Sequence, residues 1–104
     1  MLLTTAPVCL NPQGPLVADT VGSLAASARE ALATGAETLV VDLQQVTTLD
    51  RRALDVLLDI AGELHQDGRS LALAAPNGLC ADILRISRVD QTIPVVPRLE
   101  DLAG

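Results

Sequence analysis

Aromatic side chains and lysine are missing from this sequence. Its 104 residues contain no Phe, Tyr or Trp, and all seven cationic side chains are arginine. Proteins that hold single-stranded nucleic acid stack bases on aromatic rings, and this chain has none to offer. A formal charge of −6 also argues against general attraction to DNA, RNA or an anionic membrane surface. We therefore expect no nucleic-acid partner and a core built from aliphatic side chains.

Cysteine and histidine are scarce, which argues against most catalytic and metal chemistry. Cys9 and Cys80 have no metal or redox spacing, and we expect both to be reduced and structural. His65 is the single histidine and has no second ligand at metal-binding spacing. Phosphate-binding glycine loops and a nucleophile elbow are absent. A pairing of either thiol with His65 stays open, but nothing nearby would orient the base. We interpret the chain as a non-enzyme with no metal and no cofactor.

No long hydrophobic run is present, although 49% of the residues are hydrophobic. No segment approaches the ~18 apolar residues of a membrane span, and the first residues do not resemble a signal peptide. We expect a cytoplasmic protein with no direct membrane insertion. The length is typical of one domain, so residues 1–104 are taken as a single unit.

Strand-like and helix-like segments alternate along the chain. One or two strands are expected within residues 1–10, followed by a turn at 11–15. The pattern then predicts a helix over 19–34, a strand over 37–43, a helix over 51–66, a strand over 70–75, a short helix over 77–86, an edge strand over 93–96 and a terminal helical turn over 97–102. This order predicts an α/β sandwich with a mostly parallel sheet, four to five strands and about four helices.

The central residues carry a resemblance to a known family. Val40-Val41-Asp42-Leu43 is followed by Val46 and then Asp50, and Gly68 ends the next helix. Further positions fall in the same register: Leu71-Ala72-Leu73, Asn77, Val89-Asp90 and Ile93-Pro94-Val95. In this joint spacing the chain resembles STAS domains, the small modules of anti-sigma factor antagonists. The resemblance covers nearly the whole chain and implies the same sandwich fold.

The start of the second helix departs from the pattern of phosphorylatable STAS domains. In those relatives the helix opens with Asp-Ser-Ser-Gly, and one serine is the regulatory switch. Here the segment reads Asp50-Arg51-Arg52-Ala53. The resemblance therefore implies no phosphorylation at the usual position. Thr47 and Thr48, on a loop expected before Asp50, are weak substitutes, because threonines there more often stabilise turns.

The arginine pair permits two interpretations. Asp50 is expected to cap the helix, and Asp55 lies four residues after Arg51 and three after Arg52, where an ion pair can form. The pair is then a compensated, solvated feature. Alternatively, two guanidinium groups at a helix start suit a carboxylate, a phosphate or an acidic partner surface. The acidic positions Asp55, Asp59 and Glu63 are most simply the solvated face of the same helix.

The resemblance implies a protein-interaction module that docks an anti-sigma factor or a kinase-like regulatory protein through the start of the second helix. The expected partner-binding residues are Asp50, Arg51, Arg52 and Asp55, with Thr47 and Thr48 at the rim. One alternative is a STAS subunit of a membrane lipid-transport ABC complex. Another is a domain that binds a small anionic ligand. Formation of a homodimer is left open.

Overall fold

Parallel strands form the centre of the fold. The structure, a computed structural model, describes residues 8–98. Its strands are β1 (Val8–Leu10), β2 (Gly14–Leu16), β3 (Thr38–Asp42), β4 (Val46–Leu49), β5 (Ser70–Ala74) and β6 (Val95–Val96). A four-stranded sheet has the order β1-β3-β5-β6, and β2 pairs with β4 in a second, two-stranded sheet. Every pairing is parallel, so the predicted α/β class with a mostly parallel sheet is confirmed.

Three α helices connect these strands within the part of the chain that the structure describes. They are α1 (Val21–Ala33), α2 (Arg51–Gln66) and α3 (Gly78–Ile86), and a short 3₁₀ turn follows at Val89–Gln91. Each lies within the span that the sequence predicts for it. The terminal helical turn expected over 97–102 extends beyond the described residues. The sequence predicts about four helices, and the described residues contain three α helices and one 3₁₀ turn.

Two strands occupy segments where the sequence predicts a turn and a loop. Gly14 and Pro15 are typical turn residues, yet they form β2, with a shift in register between them. The expected loop before α2 is β4, in which Val46 and Leu49 are buried while Thr47 is exposed. Threonine suits a half-buried pleated surface, which accounts for the strand.

The core is aliphatic, as the composition requires. Along α2 the buried positions recur every three or four residues, which places one face of the helix against the sheets. Asp42, at the end of β3, is the buried polar residue of residues 8–98. Its carboxylate accepts the Gln44 N–H at 2.9 Å and the Asn11 side-chain amide at 3.0 Å. These contacts fix the turn between β3 and β4, and thereby the position at which α2 begins.

Candidate functional site

Asp50 joins the start of α2 to the segment before α1. One carboxylate oxygen accepts the Ala53 N–H at 2.8 Å, which is the predicted helix cap. The other oxygen accepts the Ala18 N–H at 3.0 Å. The Asp50 N–H in turn donates to the Leu16 carbonyl at 3.2 Å. Through these bonds Asp50 holds two neighbouring surface segments together.

Thr20 orders the segment on the other side of this contact. Its hydroxyl donates to the Pro15 carbonyl at 2.7 Å and accepts the Val17 N–H at 2.9 Å. Thr20 is not among the site residues predicted from the sequence. A threonine in the first turn of the helix predicted over 19–34 was the available signal, because such residues often bond to nearby backbone groups.

Arg51 and Arg52 are the first two residues of α2, and both are exposed. The expected ion pair with Asp55 does not form, and no carboxylate among residues 8–98 lies within 4.0 Å of either guanidinium group; the salt bridge found there is Arg85–Asp82. The positive end of the helix dipole lies at the same place and disfavours a cation by ~0.3–1 kcal/mol. The two side chains therefore have no ion-pair partner among residues 8–98 and are exposed to solvent.

The remaining predicted site residues surround this helix start. Thr47 is exposed and Thr48 half-buried, and both lie in β4, so the expectation that they occupy a loop is wrong. Within residues 8–98 neither hydroxyl group makes a hydrogen bond. Asp55 is exposed on the first turns of α2, and Asp59 and Glu63 continue the same solvated face, as expected.

Asn77 ties α3 to β4 and so to the same end of the molecule. Its side-chain oxygen accepts the Cys80 N–H at 2.8 Å, which caps α3. Its side-chain amide donates to the Val46 carbonyl at 2.9 Å. The first turn of α3 therefore lies against the strand that leads into α2. In the sequence, Asn77 is recognisable only as one of the positions that resemble STAS domains.

The two thiols are poorly suited to nucleophilic chemistry. Both cysteines are free; Cys9 is exposed on β1 and Cys80 is buried in α3. Burial raises the pKa of the Cys80 thiol, and partial desolvation of the exposed Cys9 together with the Asp42 carboxylate raises the pKa of Cys9. A raised pKa keeps a thiol neutral and unreactive near neutral pH. His65 is exposed in the last turn of α2, and residues 8–98 contain no cluster of metal-ligating side chains.

Surface grooves lie away from the arginine pair. A groove of about 370 Å³ runs between α1 and the segment joining β1 to β2, and one of about 360 Å³ lies beside the last turns of α2. The second contains His65 and Arg69, but the Arg69 guanidinium already donates to the Leu32 carbonyl at 2.8 Å. Neither groove includes Asp50, Arg51 or Arg52. The start of α2 is thus an exposed surface outside both grooves. Within residues 8–98 no helix combines the length and the apolar character needed to cross a bilayer.

Comparison with known proteins identifies the family and the fold. A family model described as "Mlab, STAS domain" matches residues 3–98. A search of curated proteins finds no match. A Thermotoga maritima protein assigned as an anti-sigma factor antagonist shares 19% identity at a TM-score of 0.85, over 93% of this chain and 84% of that one.

Two further solved structures show how widely this fold is used. An anti-sigma factor antagonist from Mycobacterium paratuberculosis shares 22% identity at a TM-score of 0.80, over 89% of this chain and 79% of that one. A sulfate transporter family protein from Wolinella succinogenes shares 11% identity at a TM-score of 0.75, over 96% and 84% of the two chains. The fold therefore occurs both in anti-sigma factor antagonists and in transporter proteins.

Proposed function

Because the chain belongs to the Mlab STAS domain family and shares its fold with anti-sigma factor antagonists, we propose that it is a non-catalytic interaction module. Its partner is an anti-sigma factor or another serine-kinase-type regulator, which places the module in the cytoplasm. The docking surface consists of Asp50, Arg51, Arg52 and Asp55, with Thr47 and Thr48 at its rim.

The observation that carries this proposal is the exposed arginine pair. Arg51 and Arg52 are exposed at the positive end of α2 and have no carboxylate partner among residues 8–98. Such an arrangement lowers the stability of the free domain. Two guanidinium forks at the N-terminus of a helix favour a carboxylate-bearing partner surface. A bound partner would thus supply the carboxylate groups that the two arginines lack in the free chain.

Arg51 and Arg52 also stand where phosphorylatable STAS domains have their regulatory serine. Phosphorylation releases or recruits partners by adding negative charge at a chosen hydroxyl, and arginine offers no hydroxyl and carries the opposite charge. Binding through α2 is therefore expected to be constitutive with respect to that position. Incubation with ATP and the recovered kinase-type partner should add no phosphate by intact mass spectrometry. Stoichiometric phosphate on Thr47 or Thr48 would contradict a constitutive surface.

The first experiment is affinity capture with the full chain as bait in cytosol from its own source, at low and moderate salt. We expect recovery of an anti-sigma factor with a kinase-like domain. Capture should weaken with salt, because exposed charge pairs are screened within a Debye length of ~8–10 Å. An eluate that contains neither this class nor a transport ATPase would reject the docking function.

Reversal of the arginine charges tests the surface itself. Arg51→Asp together with Arg52→Asp should reduce affinity for the recovered partner at least ~100-fold, since opposed like charges across an interface cost several kcal/mol. Arg29→Asp with Arg88→Asp makes the same change in net charge at exposed positions elsewhere. This control should bind normally in isothermal titration calorimetry. Equal affinity of both double variants would remove the start of α2 from the proposed surface.

A second candidate function is a STAS subunit of a membrane lipid-transport ABC complex. It is favoured by the Mlab description of the matching family and by the transporter protein among the structural neighbours. The same bait distinguishes the two candidates, because recovery of a transport ATPase in place of an anti-sigma factor selects the transport complex. In either case the module acts by docking.

A further inference from the structure

One side of α3 exposes apolar side chains with no cover in the part of the chain that the structure describes. Leu79 is 55% exposed and Ile86 is 78% exposed, and these are the exposed large hydrophobic side chains of residues 8–98. Ile83, between them, is partly buried. The spacing of four and then three residues places all three along one side of the helix. We call Leu79, Ile83 and Ile86 the α3 ridge.

A pair of opposite charges runs along one flank of the α3 ridge. Arg85 and Asp82 form an ion pair at 2.8 Å, with side chains that are 71% and 56% exposed. Exposed pairs of this kind contribute little to the stability of a free domain. Both groups therefore remain able to exchange or share partners with a charged surface that approaches the ridge.

We propose that a second copy of this chain packs on the α3 ridge, with the two α3 helices antiparallel about a two-fold axis. Such an axis lies midway along the ridge, between positions 82 and 83. It brings Leu79 of each copy opposite Ile86 of the other, and the two Ile83 side chains opposite each other. Apolar side chains then meet apolar side chains along the whole ridge, as a self-complementary two-fold contact requires.

The Arg85–Asp82 pair is also complementary to its own copy under this two-fold symmetry. For this reason we identify the molecule that packs on the α3 ridge as a second copy of the chain. A two-fold axis perpendicular to both helices keeps the charged flanks of the two copies on the same side. Asp82 of one copy and Arg85 of the other are then offset by two residues, about 3 Å along the axis. An arginine side chain spans that offset easily. Each Arg85 can bind both Asp82 carboxylates, so the intrachain pair becomes a four-membered network.

The small size of the α3 ridge limits the affinity with which two copies can associate. A nine-residue helix is only about 13.5 Å long, and it cannot supply the ~800 Å² per partner of a standard stable interface. The dimer is therefore weak and depends on concentration. It uses none of the α2 docking residues, so it can exist with or without the function proposed above.

Sedimentation equilibrium of the full chain tests this proposal, from about 10 μM to about 1 mM. The weight-average mass should rise with concentration from 10.8 kDa towards twice that value. Leu79→Glu should abolish the rise, and an acid in the first turn of a helix does not weaken the fold. The matched control Ala26→Glu, at an exposed position on α1, should behave as the parent chain.

A charge swap then tests the symmetric network. Asp82→Arg should weaken association at least ~10-fold, and adding Arg85→Asp should restore most of it, as a double-mutant cycle for coupled residues predicts. A monomer at every concentration overturns the proposal. So does a dimer that Leu79→Glu leaves intact, or a double swap no tighter than Asp82→Arg alone.

Discussion

If the arginine pair at the start of α2 binds a partner as proposed, it places stability and binding in opposition. Each guanidinium group adds positive charge to the positive end of a 16-residue helix and has no ion-pair partner among residues 8–98. A residue that weakens the free domain and strengthens a complex is expected at a binding surface. The effect of the two arginines on stability can be measured, because exposed residues can be replaced without disturbing the core.

Replacement of both arginines by alanine should raise the free energy of unfolding. We expect about 0.3–1 kcal/mol for each position from relief of the unfavourable helix-dipole interaction. Arg29→Ala, in the middle of α1, is the matched control and corrects for the higher helix propensity of alanine. Urea unfolding of the three proteins provides the measurement. A lower stability of the double variant would mean that the guanidinium groups make favourable contacts in the free chain.

Individual residue roles were predictable where the interaction is local. The Asp50 cap spans three residues, and the sequence pattern therefore predicts it. The bond from the Ala18 N–H to the same carboxylate joins residues 32 apart and uses a backbone donor, which no side-chain pattern reveals. The spacing of Arg51 and Asp55 permits an ion pair, but spacing does not supply the rotamers that would form one.

The two capping side chains differ because their surroundings differ. Asp50 faces two donors, the N–H groups of Ala53 and Ala18, and a carboxylate can accept both. Asn77 faces the Cys80 N–H on one side and the Val46 carbonyl on the other, and only an amide can accept one bond and donate the other. Each residue type therefore fits its own helix start.

Exchange of acid and amide at the caps should destabilise both helices. Asp50→Asn leaves an amide facing the Ala18 N–H, and Asn77→Asp leaves a carboxylate facing the Val46 carbonyl. We expect each change to lower the free energy of unfolding by about 0.5–1.5 kcal/mol, the net contribution of one hydrogen bond, although both residue types are equally good caps in isolated helices. Thermal or urea unfolding measures the change, with exposed Glu37→Gln as the control. A neutral Asn77→Asp would show that the bond to β4 contributes nothing.

The three helices were predictable from their pattern, whereas β2 and β4 were not. α1, α2 and α3 repeat an apolar position every three or four residues over two turns or more, so their pattern stands out. β2 and β4 are three and four residues long, and Pro15 or the two threonines obscure any alternation. These strands exist because they pair with each other, an interaction that appears only when the chain is folded.

At the scale of the whole molecule, the alternation of strands and helices in the sequence was enough to predict the fold class. The choice of partner depends on the folded surface, which the alternation does not describe. Composition nevertheless makes one property of the whole chain accessible. The sequence contains neither lysine nor tyrosine, so the groups that usually titrate in alkaline solution are missing. Arginine stays charged above pH ~12, and the terminal amine titrates near ~7.7–8.0. From about pH 9 to pH 11, Cys9 and Cys80 are the only side chains in the sequence that change charge.

Stability should therefore fall in alkaline solution through these two thiols. The pKa of each is raised in the folded chain, for Cys80 by burial and for Cys9 by partial desolvation and the Asp42 carboxylate. The unfolded chain then loses its thiol protons first, near pH ~8.5. Stability is complete below that pH and decreases as pH rises towards and through the folded pKa values.

Urea unfolding at a series of values from about pH 7 to pH 10.5, with reductant present, measures this slope. Cys9→Ser with Cys80→Ala removes both thiols and should give a flat profile. Its absolute stability should be lower, because Cys80 is completely buried and alanine leaves a small cavity. The slope is the informative quantity, since the cavity lowers stability equally at every pH. A slope that persists in the double variant would contradict the assignment, because residues 1–104 offer no other side chain that titrates in this range.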